Sequence, residues 1–123
     1  MAYSDKQSVG FSAEQTARRF LESNGLNLIA QNYRCKLGEI DLIMQHDKQL
    51  VFVEVRFRAR NNYASAALTV GHIKQARIVR TACMFLKTRR DLSDSVMRFD
   101  VVAIDEDRDG EQHITWLTDA FRP

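Results

Sequence analysis

The chain has 123 residues, 45% of them apolar, and its 18 Lys and Arg against 16 Asp and Glu leave a formal charge of +2. That length suits one domain over residues 1–123, with a core large enough to need no disulfide or metal staple. A membrane-spanning helix is excluded, because the longest apolar run, Ala82 to Leu86, falls far short of the roughly 20 residues a bilayer needs.

Residues 1–10 are polar, lack the apolar segment of a signal peptide and read as a flexible lead-in. Ser12 followed by Gln15 is a capping-box start, and Gly25 is a natural stop. Ala13, Ala17, Phe20 and Leu21 recur between them at helical spacing, which predicts a helix over Ser12–Asn24. Leu26 to Arg34 alternates as a strand. Glu39–Gln45 and Gln49–Arg58 are rich in branched and aromatic residues and predict a hairpin turning at Asp47-Lys48. Asn61-Asn62 opens a loop. Ala76, Val79, Ala82, Cys83 and Leu86 mark a second helix from Gly71 to about Thr88, with Cys83 expected among its buried residues. Val96–Asp105 and Glu111–Leu117 are two further strands joined at Asp107 to Gly110. The order α-β-β-β-α-β-β predicts an α/β fold around one mixed sheet. Cys35 and Cys83 form no CxxC pair and His46, His72 and His113 no zinc-ligand spacing, so free thiols in a reducing cytoplasm are expected.

The charges are unevenly spread. Arg56, Arg58, Arg60, Lys74, Arg77, Arg80, Lys87, Arg89 and Arg90 lie between Val55 and Arg90, where no acidic residue occurs. That segment carries +9 and the remainder −7. Such a block is the footprint of a polyanion-binding face; equally, it could be a solvated surface paired with the acidic remainder.

If the hairpin turns at Asp47-Lys48, Ile43 faces Phe52, Asp41 faces Glu54 and Glu39 faces Arg56. Alternation then puts Ile40, Leu42, Met44, Val51, Val53, Val55 and Phe57 on one apolar face. The other carries Ile43, Leu50 and Phe52 near the turn, then Asp41, Glu54, Glu39, Arg56 and Arg58 at the open end. Opposed carboxylates repel at Cβ separations of about 4.5–5.5 Å, so a positive partner is required. Either Mg²⁺, which takes one or two carboxylates with phosphate oxygens, or Arg56, Arg58 or Lys74 can supply it.

Gly38-Glu39-Ile40-Asp41-Leu42-Ile43, Val51-Phe52-Val53-Glu54-Val55-Arg56 and Arg98-Phe99-Asp100-Val101-Val102 occur together with Glu14 and Lys74. In this combination they resemble the YraN family, small bacterial proteins assigned to the PD-(D/E)XK restriction-endonuclease-like superfamily and similar to archaeal Holliday junction resolvases. The resemblance covers roughly Gly10 to Phe121 and implies a restriction-endonuclease-like αβββαβ core. It also implies a metal-dependent endonuclease acting on DNA, including branched structures, and resolvase relatives act as dimers. Asp41 and Glu54 would match the metal-binding acidic residues, with Mg²⁺ or Mn²⁺ also met by the Val55 carbonyl and by Glu14. Arg56 stands where the superfamily has a catalytic lysine; it stays protonated and suits a phosphate clamp, while Lys74 could supply an amine. Arg56, Arg58, Arg60, Lys74, Arg77 and Arg80 would contact the nucleic acid.

Plainer readings accompany these. Glu14 in a first helical turn favours the helix dipole, Glu39 pairs with Arg56 or is exposed, Asp100 pairs with a neighbouring arginine, and Trp116 and Phe121 are core or docking contacts. The alternative to an enzyme is a nucleic-acid-binding or protein-recruiting module that keeps the fold without turnover.

Overall fold

The structure, a computed structural model, describes residues 5–59 and 68–123, with the side chains of residues 5–11 and 59 left outside the description. Arg60 and the loop expected at Asn61-Asn62 therefore lie outside the described residues. Helix α1 spans Asp5–Ser23 and leads into strands β1 (Asn27–Cys35), β2 (Gly38–His46) and β3 (Gln49–Ala59). Helix α2 (His72–Thr88) and a 3-10 turn (Arg90–Leu92) precede β4 (Val96–Glu106) and β5 (Gln112–Phe121). The α/β architecture agrees with the sequence reading. Its sheet runs β1-β2-β3-β4-β5, and β3 and β4, the parallel pair, are joined through the crossover that carries α2. No helix among the described residues is long and apolar enough to cross a membrane.

Helix α1 begins at Asp5, so Ser12 lies inside it and accepts a bond from Thr16 Oγ1 at 3.0 Å rather than capping the start. Glu14 is consequently well inside the helix, and its first-turn dipole role does not apply. The C-terminus ends as its sequence suggests. Leu26 N–H donates to Leu21 O and Gly25 N–H to Glu22 O, both at 3.1 Å, while Gly25 takes φ 92. This Schellman closure brings buried Leu26 against buried Leu21.

One helix covers each face of the sheet. Ala13, Ala17 and Leu21 of α1 pack on Leu42, Met44, Val51, Val53, Val102 and Ile104. Ile78, Ala82 and Phe85 of α2 pack on Ile43, Leu50, Phe52, Phe99 and Val101. Each fully buried aliphatic or aromatic side chain contributes about 1.5–3 kcal/mol relative to exposure. Cys83 is exposed, contrary to expectation. It follows Ala82 by one residue, which turns it about a quarter of the way round the helix from the buried stripe.

Ile40 also departs from its predicted place. It belongs with Ile43 on the α2 side, not with Leu42 and Met44. Alternation breaks on both strands between the pairs Gln31↔Leu42 and Tyr33↔Ile40, and on β1 Asn32 takes φ 53 there. Asn tolerates this left-handed conformation better than a branched residue would. It turns Tyr33 onto Phe85, with ring centroids 5.1 Å apart, while Gln31 faces Arg18 of α1.

Two further contacts position the strands. Gly38 opens β2 at φ 150, and a Cβ there would approach Thr81 Oγ1 of α2 to 3.1 Å, so both the backbone conformation and the close approach of the β1–β2 turn favour glycine. Asp100, 1% exposed, accepts Arg98 Nε and NH2, Trp116 Nε1 and the Asp119 N–H, each at 2.9 Å. It thereby pins β5 across the irregular register between Phe99 and Val101. Phe121 stacks on Phe99 at 5.1 Å and Trp116 meets Phe20 edge-on at 5.9 Å, both as packing contacts.

Candidate functional site

The β2–β3 ladder follows the predicted register from His46↔Gln49 to Leu42↔Val53 and ends there. Beyond it β2 stays with β1 to Gly38, while β3 stays with β4 to Ala59. The two strands thus form a fork, and the first residues past its crotch are Asp41 and Glu54. Asp41 reaches across the gap, where its Oδ2 accepts the Val55 N–H at 2.8 Å. An amide that the ladder no longer pairs is satisfied by a carboxylate instead.

The two acidic groups are brought together. Burial pushes the Asp41 carboxyl up to about 8, the Glu54 charge and hydrogen bond push the same way, and the Val55 amide opposes them. Glu14 adds a smaller push from α1. Its own carboxyl is raised by burial and by Glu39, against hydrogen bonds from Asn32 and Gln31. Glu54 is buried and meets Lys74 Nζ in an ion pair, with Arg56 Nε at 3.8 Å from the same oxygen. Arg56 Nε is buried and has no hydrogen-bond partner. Asp41 and Glu54 therefore meet in the fork with two cations beside Glu54, while Glu14 acts on Asp41 through its charge alone. Lys74 arrives from the first turn of α2, whereas Arg56 follows from β3.

Arg58 stands opposite Asp105 in the β3–β4 register, and Asp105 Oδ1 is likewise buried without a partner. Arg77 and Arg80 are exposed on α2, and Arg60 lies outside the described residues. Glu39 pairs with Arg34 at 2.9 Å, not with Arg56; the fork has carried β2 and β3 apart before that position.

Sequence reasoning missed what lies beyond Lys74. The β1–β2 turn and the start of α2 enclose an open groove of about 1130 Å³, lined by Arg34, Cys35, Gly38 and Glu39 on one side and by residues 71–74, Arg77 and Ile78 on the other. The signal available was Ile73, an apolar residue on the polar face of a helix. A second cluster was also missed. Asp107, Glu111 and His113 bring ligand atoms within 4.8 Å of one another in the β4–β5 turn. Asp107 Oδ1 accepts the Asp109 and Glu111 N–H groups at 2.9 Å. The Glu111 amide leads in holding its carboxyl below the usual range, a turn-stabilising role that accounts for the cluster.

The profile described as "Uncharacterised protein family UPF0102" matches residues 13–104, a span that includes Glu14, the fork and α2. A UPF0102 protein of Coxiella burnetii (strain RSA 493 / Nine Mile phase I) is 43% identical over 119 residues, covering 97% of this chain and 96% of its own length. UPF0102 protein NE0719 of Nitrosomonas europaea is 44% identical over 112 residues, covering 91% and 92% of the two chains. A relative from Pseudomonas savastanoi pv. phaseolicola is 40% identical over 121 residues and covers 98% of both. The chain therefore belongs to the UPF0102 family, the YraN family that its GEIDLI and VFVEVR segments resemble.

Proposed function

We propose that the protein is a divalent-cation-dependent endonuclease that hydrolyses phosphodiesters, with DNA as the expected substrate. The observation that carries this reading is the convergence of Asp41 and Glu54 in the fork, where Asp41 is half-buried and its carboxyl is pushed to about 8. Such a pair is an all-oxygen donor set of the kind Mg²⁺ and Mn²⁺ take. A cation there would relieve the Glu54 repulsion that adds to burial in raising the Asp41 carboxyl. Asp41 and Glu54 would hold it, with the Val55 carbonyl and Glu14 as further oxygen donors. When bound, such an ion supplies a water of lowered pKa and a Lewis acid toward phosphoryl oxygen.

The chain's own residues complete the chemistry. The buried Arg56 Nε is a donor without an acceptor, and a phosphate oxygen would satisfy it. Arg56 stays protonated, so it holds phosphate and stabilises developing charge while moving no proton. Lys74 lies against Glu54 and would hold the same phosphate or transfer a proton. Arg58, Arg77 and Arg80, together with Arg60, would contact phosphates and position the backbone.

The test is cleavage of a labelled four-way junction, duplex and single strand in Mn²⁺. Cleavage is expected, with loss in the Asp41→Asn, Glu54→Gln double variant; cleavage that survives the double variant refutes the site. One observation favours a second reading. The Lys74 ammonium already compensates Glu54, as a non-hydrolytic nucleic-acid-binding or protein-recruiting module would require. That reading predicts metal-independent binding and no cleavage.

A further inference from the structure

The groove between the β1–β2 turn and the start of α2 combines two properties that seldom share a surface. It carries a net positive charge: Arg34 pairs with Glu39 and Lys74 with Glu54, and Arg77 is the wall cation that no described carboxylate holds. It is also apolar at its rim. Ile73 is 76% exposed, and Leu37, in the turn between lining residues Cys35 and Gly38, is 38% exposed. Contacts to phosphate alone need no such apolar surface, and stacked bases in a duplex keep their faces hidden. A strand whose bases are unstacked offers both an anionic backbone and bare apolar faces. Lys74 on the groove's wall is also the ion-pair partner of Glu54 in the fork. Its volume of about 1130 Å³ exceeds the roughly 300–1,000 Å³ of a small-molecule cleft, as a polymer segment requires.

We propose that this groove binds an unpaired stretch of nucleic acid, with Ile73 contacting an unstacked base and Arg77 a neighbouring phosphate. The inference rests on the nucleic-acid reading above, and it makes the unpaired segment the feature that the protein recognises. An acidic peptide could meet the same cations, but it would bring no phosphodiester to the adjoining carboxylates.

The test measures binding alone, by fluorescence anisotropy in EDTA on the Asp41→Asn protein. The probes are a labelled oligo-dT strand, a paired duplex, and the same duplex with a bulge carrying 2-aminopurine. Oligo-dT and the bulge should bind about tenfold tighter than the duplex. Ile73→Ser should abolish that preference and the 2-aminopurine signal change while leaving duplex affinity alone, and Ile73→Leu should restore both. Arg77→Gln should weaken every probe and flatten the salt dependence. Circular dichroism checks the fold of each variant, and at 76% exposure Ile73 carries little core packing to lose. Equal affinity for paired and unpaired probes, an unchanged preference in Ile73→Ser, or binding of polyglutamate in place of oligo-dT overturns the proposal. Because no metal is present, failure here leaves cleavage at the fork untouched, and absence of cleavage leaves this result standing.

Discussion

Replacing Asp41 with Asn gives the sharpest test of the fork's electrostatics. The Asn Oδ1 can still accept the Val55 N–H now held at 2.8 Å, and its Nδ2 can donate to Glu54, so geometry is kept and only the charge is lost. The Asp41 carboxyl moves from 3.8 in the unfolded chain to about 8 in the folded one. A group raised in this way stabilises the fold fully below about pH 4, and that stability drains as pH rises toward 8. At about 1.4 kcal/mol for each pH unit above 3.8, the loss approaches a ceiling of about 4 kcal/mol at pH 7. Asn has no proton to lose. The variant should therefore gain on the parent steadily from about pH 4 to about pH 8, then hold a constant advantage. Urea unfolding in EDTA, followed through the single tryptophan, Trp116, measures the difference at each pH. A difference that stays constant with pH, or an Asn variant that loses stability as pH rises, refutes the account of Asp41 as a crowded, buried carboxyl.

Asp100→Ala should cost about 3–5 kcal/mol, because Arg98, Trp116 Nε1 and the Asp119 amide lose their shared acceptor; a red-shifted Trp116 emission with a lowered thermal midpoint checks it. Gly38→Ala should cost about 1–3 kcal/mol through its φ of 150 and its approach to Thr81 Oγ1. Adding Thr81→Ala should return part of that loss, measured as non-additivity in a double-mutant cycle. In the native protein Cys83 should react with Ellman's reagent ahead of the half-buried Cys35, whose Sγ accepts the Leu37 N–H at 3.4 Å. A Cys83→Ser variant should lose the fast phase of that reaction.

Much of this was legible in the sequence because its signals were local. Alternation marked β1, enrichment in branched and aromatic residues marked β2 and β3, the hairpin centre gave the 42↔53 register, and Gly25 marked the helix end. What the sequence hid came from interactions between elements. Straight alternation put Ile40 on the wrong face, since it had no means of registering one left-handed residue, Asn32, on the neighbouring strand. It paired Glu39 with Arg56 because nothing in a two-strand pattern announces that the strands part after Leu42. The same divergence lets Asp41 bond the Val55 amide, a role that only the third dimension supplies. The start of α1 was misplaced because Ser12 and Gln15 have cap chemistry but lie inside a longer helix.

The fork has one more consequence. From Glu54 onward, the side of β3 that faced β2 has no ladder partner among the described residues, which leaves a sheet edge opening inside the molecule. Exposed edges invite a strand from another chain. Asp41 blunts this one at its most vulnerable amide, and a carboxylate in such a gap also repels an incoming backbone carbonyl. Truncation to Ala, the habitual way to silence an acidic site, would free the Val55 N–H and unlatch that edge. An Asp41→Ala protein would then self-associate for reasons unrelated to any metal or substrate. Asn preserves the latch, so the charge at this position can be studied apart from its guard over the edge.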